Sequence, residues 1–325
     1  MALRELPQHW DEPVSPVDPQ EAHEFVQRHC APRWVARLLR TRYRLTGRLP
    51  MRLANAIGRW TGGKRYFAFE ALDGLTLYGG FDDYYSLAQA ANAGSQGAFV
   101  ELLEDLARQR EGAIVDVGAN LGSVCAPLAS RLPDRTTIAF EPMQDTALRG
   151  AAAAYAGNLR QLHYFQCAVG DRDGHLELQG DEQVSDQMTA VSGVDMGPGA
   201  CTTKVRSITL DSFAHSYPVG PVALLKIDVE GFEPQALAGA QGIIARDAPA
   251  IVFEYMPRLA AAAGWGPKLL ASMIGRDHPY TFRCYTDLGD EVSFPPPTPA
   301  DPDAFFNVVA SPSATPKTRR TGSSQ

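Results

Sequence analysis

Residues 113–122 read Ala-Ile-Val-Asp-Val-Gly-Ala-Asn-Leu-Gly, and their pattern decides the fold. Ala113 to Val117 is a short apolar run of the kind that forms a buried parallel strand. It breaks at Gly118, and the chain enters a helix near Gly122. A strand, a tight glycine turn and a helix N-terminus offer free N–H groups to polar or anionic ligand atoms. Glycine also lets the backbone approach a ligand where a Cβ would collide. Asp116 is the anomaly, because a carboxylate in an apolar strand end is costly without a hydrogen-bond donor. A ligand carrying an ammonium group would supply one. The spacing Gly118-x-x-x-Gly122 is not Gly-x-Gly-x-x-Gly, so a pyrophosphate is not the expected occupant. Tight strand-to-helix turns also use glycine for steric reasons alone, so the decapeptide needs support from the rest of the chain.

Outward from this segment the chain alternates between strand and helix patterns. Strands are expected at 114–117, 137–140, 163–168, 223–227 and 250–253, with helices near 123–131, 145–156, 234–240 and 258–274. Such alternation makes a doubly wound, mostly parallel α/β sheet. Two further strands, 280–285 and 305–310, complete a seven-stranded sheet with a hairpin end. Residues 98–106 read as a helix with Phe99, Leu102, Leu103 and Leu106 on one side. Residues 181–201 are rich in Gly, Ser and Asp, and a loop of that length is expected to be functional or disordered. A flap over the ligand cleft and a surface insertion are both open readings.

The leading region has a different character. Residues 19–49 carry a helical pattern with an apolar stripe of Phe25, Val26, Trp34, Val35, Leu38 and Leu39, opposite Arg33, Arg37, Arg40, Arg42, Arg44 and Arg48. The plainer reading is a solvated amphipathic helix. The sharper one is a contact surface for an anionic partner such as a phospholipid or an acidic carrier protein. Residues 66–70 and 75–78, joined by Leu-Asp-Gly, read as a β-hairpin. The expected organisation is an N-terminal extension over 1–94, a catalytic domain over 95–310, and a disordered Pro/Ser/Thr-rich tail over 311–325.

Bulk composition narrows the function. A 325-residue chain that is 45% hydrophobic has ample material for a core. Its net charge of −7 argues against a general nucleic-acid binder. Five scattered cysteines with no C-x-x-C pair fit free thiols in a reducing compartment, not a zinc site. With no apolar leader pattern at Met1 and no stretch long enough to span a bilayer, the expected location is the cytoplasm.

Acidic residues terminate four of the five predicted parallel strands: Asp116, Glu141, Asp228 and Glu254, with Cys167-Ala168 at the remaining one. Ligands of open α/β sheets bind outside the carboxyl strand ends, where strand order reverses. Chance would scatter acids through turns and helix starts, so this alignment carries information. Glu141 can accept hydrogen bonds from both hydroxyls of a ribose. Met143 beside it can pack on an adenine face, with Ala168 opposing and the small residues at 167 and 168 leaving room for a flat ring. A ribose, an adenine and an ammonium-bearing tail together describe S-adenosylmethionine better than a dinucleotide.

Val115-Asp-Val-Gly-Ala-Asn-Leu-Gly, Phe140-Glu-Pro, Ala168-Val-Gly-Asp, Thr209-Leu-Asp-Ser-Phe, Leu225-Lys-Ile-Asp-Val-Glu-Gly-Phe-Glu and Ile251-Val-Phe-Glu resemble the motif series of the FkbM-type methyltransferases. The resemblance covers about residues 98–310. It implies a Rossmann-like class I fold, S-adenosylmethionine as cofactor, and O-methylation of a hydroxyl on a saccharide, glycolipid or secondary metabolite. By it, Asp116, Gly118, Asn120 and Gly122 bind the methionine portion, Glu141 the ribose and Ala168 the adenine edge, with Asp228 near the reactive methyl. Asp228, Glu230, Glu254 and His278 are the candidate bases, Asp228 first and Glu254 second. Glu230 and Glu233 also suit a helix start on dipole grounds alone. Lys226 can equally pair with a neighbouring acid or touch substrate. A divalent metal on Asp228 and Glu254 is possible, but metal-independent catalysis is the favoured expectation. The alternatives are a nucleotide-dependent oxidoreductase on the same fold and a non-catalytic methyltransferase-like scaffold.

Overall fold

The computed structural model describes residues 14–46, 51–92, 96–180, 188–191, 200–286, 289–299, 301 and 304–313. The leading part comprises α1 (Pro19–Arg28), β1 (Cys30–Ala31), α2 (Trp34–Thr46), α3 (Met51–Trp60), the strands β2 (Tyr66–Glu70) and β3 (Thr76–Gly80), and α4 (Tyr84–Ala91). Next come α5 (Gly97–Arg108), β4 (Ala113–Val117), α6 (Cys125–Arg131), β5 (Thr137–Phe140), α7 (Gln144–Ala156) and β6 (Leu162–Phe165). A side sheet of β7 (Ala168–Val169), β8 (Gly174–Gly180) and β9 (Cys201–Ile208) follows. The chain continues through α8 (Leu210–Ser216), β10 (Val222–Ile227), α9 (Glu233–Ala238), α10 (Gln241–Asp247), β11 (Ala250–Tyr255), α11 (Pro257–Ala262) and α12 (Pro267–Ile274). It closes with β12 (Tyr280–Thr286), β13 (Glu291–Val292) and β14 (Phe306–Pro312).

The central sheet has the order β13-β12-β14-β11-β10-β4-β5-β6. Strands β6, β5, β4, β10 and β11 are mutually parallel, and β14 runs antiparallel between β11 and β12. This is the expected seven-stranded arrangement, with the two-residue β13 added at the edge of β12. The chain steps from β4 out to β5 and β6, then returns to lay β10 and β11 on the other side of β4. Strand order therefore reverses between β4 and β10, the position where such sheets open a ligand crevice.

Side-chain alternation divides the core into layers. Val115, Val117, Leu225, Ile227, Ile251 and Phe253 face a core shared with Phe213, Leu237, Ile244 and Ile274. Ile114, Leu224, Val252 and Val309 face the other way, onto Val100, Leu103, Leu106 and Leu128. By the same period of two, Asp116 and Lys226 lie on the second face, and the parallel register sets them directly opposite each other.

Several sequence expectations change. The helix expected over 19–49 is two helices with the strand Cys30–Ala31 between them. Asp18 starts the first by accepting the Glu21 N–H at 2.8 Å, with Pro19 at the first helical position. The apolar stripe divides too: Val26, Val35 and Leu39 are buried, whereas Trp34 and Leu38 are exposed. Arg48 lies outside the described residues. The strand expected over 163–168 stops at Phe165, because Cys167 N–H turns back to the Phe165 carbonyl. Ala168–Val169 then pairs with β9 instead. The helix expected near 234–240 ends at Ala238, with α10 following, and the one expected near 258–274 is interrupted between α11 and α12. Ser311 and Pro312 belong to β14 and not to a tail. The predicted tail beyond 313, the first thirteen residues and most of the 181–201 loop lie outside the described residues.

The hairpin β2–β3 forms as expected. Its Tyr66, Phe67, Leu77 and Tyr78 share a core with Ala22 and Val26 of α1, Leu39 of α2, Ala151 and Ala154 of α7, and Tyr164 of β6. A buried polar cluster reinforces the junction. Arg149 of α7 donates to Asp83 at 3.0 Å and to Ser86 at 2.7 Å, and Tyr66 donates to Asp145 at 2.5 Å. Among the described residues no helix is long and apolar enough to cross a membrane.

Candidate active site

A cavity of about 310 Å³ opens at the carboxyl ends of β4, β5, β10 and β11. That lies at the lower end of the range for small-molecule sites, roughly 300–1,000 Å³. Its floor is set by the register just described. Lys226 Nζ donates to Asp116 Oδ1 at 3.0 Å and to Asp228 Oδ2 at 3.2 Å. The side chains of Asp116 and Lys226 are 1% and 7% exposed, so each needs the other. Burial alone would pull the Lys226 ammonium down, but Asp116 and Asp228 together hold it above the ordinary lysine range. Burial pushes the Asp116 carboxyl up, and Lys226 opposes that shift.

The donor that Asp116 requires is thus Lys226, not a ligand ammonium, and Lys226 itself lines the cavity. Among the described residues forming the wall are Gly118, Asn120, Glu141, Ala168, Asp228 and Glu254, but not Asp116 or Gly122. Both glycines of the turn are sterically required. At Gly118, with φ +78°, a Cβ would sit 1.8 Å from the Asp228 carbonyl oxygen; at Gly122, with φ +93°, one would meet the Tyr164 hydroxyl at 2.6 Å. Gly118 therefore lets the ends of β4 and β10 close on each other, and Gly122 lets the turn pack on β6.

Glu141, at the end of β5, fastens the turn. Its Oε2 accepts the Asn120 N–H at 3.0 Å and its Oε1 the Met143 N–H at 2.9 Å. Burial pushes its carboxyl up to about 7, against the lowering effect of those two N–H groups. Beside it Met143 packs against an apolar cluster of Ala168, Leu178, Met188 and Val205. Leu176, Leu178, Met188 and Ala190 join Met143 and Ala168 in the cavity wall. Thr189 donates to the Glu230 carbonyl at 2.5 Å and is backbone-paired with Gln179. Met188 and Ala190 of the long loop therefore contribute to the cavity wall.

Three carboxylates gather past the ends of β10 and β11. Asp228, Glu230 and Glu254 each bring an oxygen within 4.8 Å of the others. Burial, and then the Asp228 charge, raise the Glu254 carboxyl well above the usual carboxylate range. Glu230 has φ +53°, a conformation that turns the chain so that its side chain meets the cavity. Glu233 has a structural place: its Oε1 accepts the N–H groups of Val229 at 3.1 Å and Gly231 at 3.3 Å. The Trp265 indole N–H adds a bond to the Gly231 carbonyl at 2.9 Å. His278 is not brought here; its Nε2 is paired with the Ala245 carbonyl at 2.8 Å, away from the cavity wall.

The wall also contains residues that sequence reasoning did not select, including Tyr85, Gln96, Phe305 and Asn307. Tyr85 comes from α4, and its hydroxyl lies 3.2 Å from Ser123 Oγ at the glycine turn. Asn307 was findable in principle, because β14 pairs antiparallel to β11 and sets it opposite Glu254.

Residues 116–275 match the family model of the methyltransferase FkbM domain. No curated protein matches the chain. Among solved structures, an FkbM methyltransferase from Methylobacillus flagellatus KT is 15% identical, with 69% of this chain and 55% of that chain covered and a TM-score of 0.39. A precorrin-6y C5,15-methyltransferase from Geobacter metallireducens GS-15 is 10% identical, covering 66% and 88% with a TM-score of 0.37. An O-methyltransferase family protein from Burkholderia thailandensis is 13% identical, covering 71% and 61% with a TM-score of 0.30. The chain thus spans about half the length of the Methylobacillus structure. At such identities and TM-scores these likenesses carry no functional inference, whereas the family match spans the glycine turn, Glu141, Ala168 and the carboxylates of β10 and β11. Residues 116–275 are an FkbM methyltransferase domain.

Proposed function

We propose that the protein is an S-adenosylmethionine-dependent O-methyltransferase acting on a hydroxyl of a saccharide, glycolipid or secondary metabolite in the cytoplasm. The observation that carries this reading is that one cavity in an FkbM domain is lined at once by Glu141, by Ala168 with its apolar neighbours, and by Asp228. The residues fit the cofactor. Glu141 offers oxygens at the end of β5 to the two ribose hydroxyls. Met143, Ala168, Leu178 and Met188 form an apolar slot suited to a flat ring. Gly118 and Asn120 present backbone to the methionine portion, while Asp116 and Gly122 support them from behind.

When bound, S-adenosylmethionine supplies a methyl group on a sulfonium, and transfer needs that carbon aligned between sulfur and acceptor oxygen. Asp228 is the group assigned to take the proton from the acceptor hydroxyl, because it is half-buried, lines the cavity and is held in position by Lys226. Glu254 flanks Asp228, with carboxylate oxygens of the two within 4.8 Å. Residues 95–310 form the catalytic unit in this reading, with the preceding segment packed against α7.

A second reading is favoured by Glu230, which was not among the two ligands expected. With Asp228 and Glu254 it offers three carboxylate oxygens at a spacing that a divalent cation can bridge. Such an ion would acidify the acceptor hydroxyl directly. The proposed function is tested by comparing the metabolites and glycans of cells with and without the gene by mass spectrometry. A product heavier by one methylene unit, absent when the gene is deleted, is expected. An unchanged profile together with no S-adenosylmethionine consumption would contradict it.

A further inference from the structure

The charge of this chain is divided unevenly. Residues 26–69 hold eleven of its 30 Lys and Arg and none of its 37 Asp and Glu, in a protein whose net charge is −7. The helices α2 and α3 lie inside that segment. They also carry three of the large exposed apolar side chains, Trp34 at 46%, Leu38 at 48% and Trp60 at 75%. The two indoles meet edge to face with ring centroids 5.9 Å apart, so α2 and α3 present one aromatic patch between them.

Helical geometry places the charges around this patch. At about 100° per residue, Val35, Ala36 and Leu39 fall on one side of α2, and all three are buried. Trp34 and Leu38 fall on the opposite side, one turn apart. Arg37 lies along one flank of that pair and Arg42 along the other, with Arg33 in the turn just before the helix, all exposed. Arg59, also exposed, adjoins Trp60. An apolar centre rimmed by arginines on an outward helix face is the pattern of a segment that lies in the headgroup layer of a bilayer. Indoles favour that depth, and each basic residue gains from an anionic leaflet.

We propose that the α2–α3 face docks the protein peripherally onto an anionic lipid bilayer, with Trp34, Leu38 and Trp60 inserted at the headgroup boundary and Arg33, Arg37, Arg42 and Arg59 on lipid phosphates. Leu38 separates this occupant from a nucleic acid. An exposed aliphatic side chain has no base to stack on and no bond to donate, but it gains free energy at a hydrocarbon boundary. The face is coupled to the site, because α2 packs on α4 and Tyr85 of α4 lines the cavity. Docking here would suit an acceptor hydroxyl borne on a lipid. Docking itself does not depend on the methyl-transfer reading.

The test is sedimentation of the full chain with vesicles of phosphatidylcholine alone and of phosphatidylcholine mixed with phosphatidylglycerol, with tryptophan emission followed in parallel. Binding to the anionic vesicles only is expected, with a blue-shifted emission and release by salt. The double variant Trp34→Ser, Trp60→Ser should lose about tenfold or more of the binding. Arg37→Gln and Arg42→Gln should each weaken it about fivefold. These side chains are exposed, so circular dichroism should stay that of the parent. Failure to bind anionic vesicles, or undiminished binding by the double tryptophan variant, overturns the proposal. So does displacement from vesicles by single-stranded RNA or an acidic protein that binds the tryptophan variant equally well, since the face would then serve that partner.

Discussion

Lys226 of β10 donates to Asp116 of β4 at 3.0 Å, directly across the parallel register and with both side chains withdrawn from solvent. Lys226 lines the cavity with Asp116 behind it, and its other contact, to Asp228, ties the fold to the chemistry. Removing one partner of a buried pair leaves the other uncompensated. Lys226→Met should therefore lower the unfolding free energy by about 3–5 kcal/mol. The paired variant Asp116→Leu, Lys226→Met should recover most of that loss. Urea unfolding followed by circular dichroism checks both, and a negligible effect of Lys226→Met would show that the pair is not structural.

Glu233 sets a pH dependence. Burial raises its carboxyl from 4.5 to about 7, despite the N–H groups that lower it. Between those values the folded chain holds a proton that the unfolded chain releases, so this group's contribution to stability falls as pH rises through that window. Glu233→Gln keeps an oxygen for Val229 and Gly231 and removes the titration. The variant should be more stable than the parent by about 3 kcal/mol at pH above 7. The two should converge below the unfolded carboxylate range. Melting curves of both proteins across pH measure the difference, and parallel curves would remove Glu233 as the cause.

Asp228→Asn separates binding from chemistry. Turnover should fall by roughly two or more orders of magnitude, the scale for losing a positioned base. Affinity for S-adenosylhomocysteine should change little. If a chelator abolishes the parent's activity and magnesium restores it, Asp228, Glu230 and Glu254 are metal ligands and Asp228 is not acting as a lone base.

Much of this was legible in the sequence, for identifiable reasons. Most of the parallel strands read correctly because each is a mainly apolar run buried on both faces, such as Val222–Ile227, apolar apart from Lys226. The acids at their ends marked the crevice because little else would place four carboxylates there. Asp116 was legible as an anomaly but not in its partner. Lys226 is 110 residues away, and only the register of β10 on β4 brings it opposite. Gly118 was read as clearance for a ligand, yet the nearest obstacle to a Cβ is the Asp228 carbonyl, a tertiary contact. Leu176, Leu178 and Met188 were missed because they reach the cavity from a side sheet and a loop whose periodicity says nothing about where they fold back. The helix expected over 19–49 was overextended because its charge pattern continues through the break at Cys30–Ala31, where β1 pairs with Tyr66 and Phe67.

The central claim, that the Glu141 cavity holds S-adenosylmethionine, is tested most directly by calorimetric titration with S-adenosylhomocysteine. Saturable binding in the micromolar range is expected, about −7 to −9 kcal/mol. Glu141→Ala should weaken it by about 1–3 kcal/mol, the scale of losing hydrogen bonds to a charged group, and NAD should give no signal. Saturable NAD binding with no response to S-adenosylhomocysteine would contradict the claim.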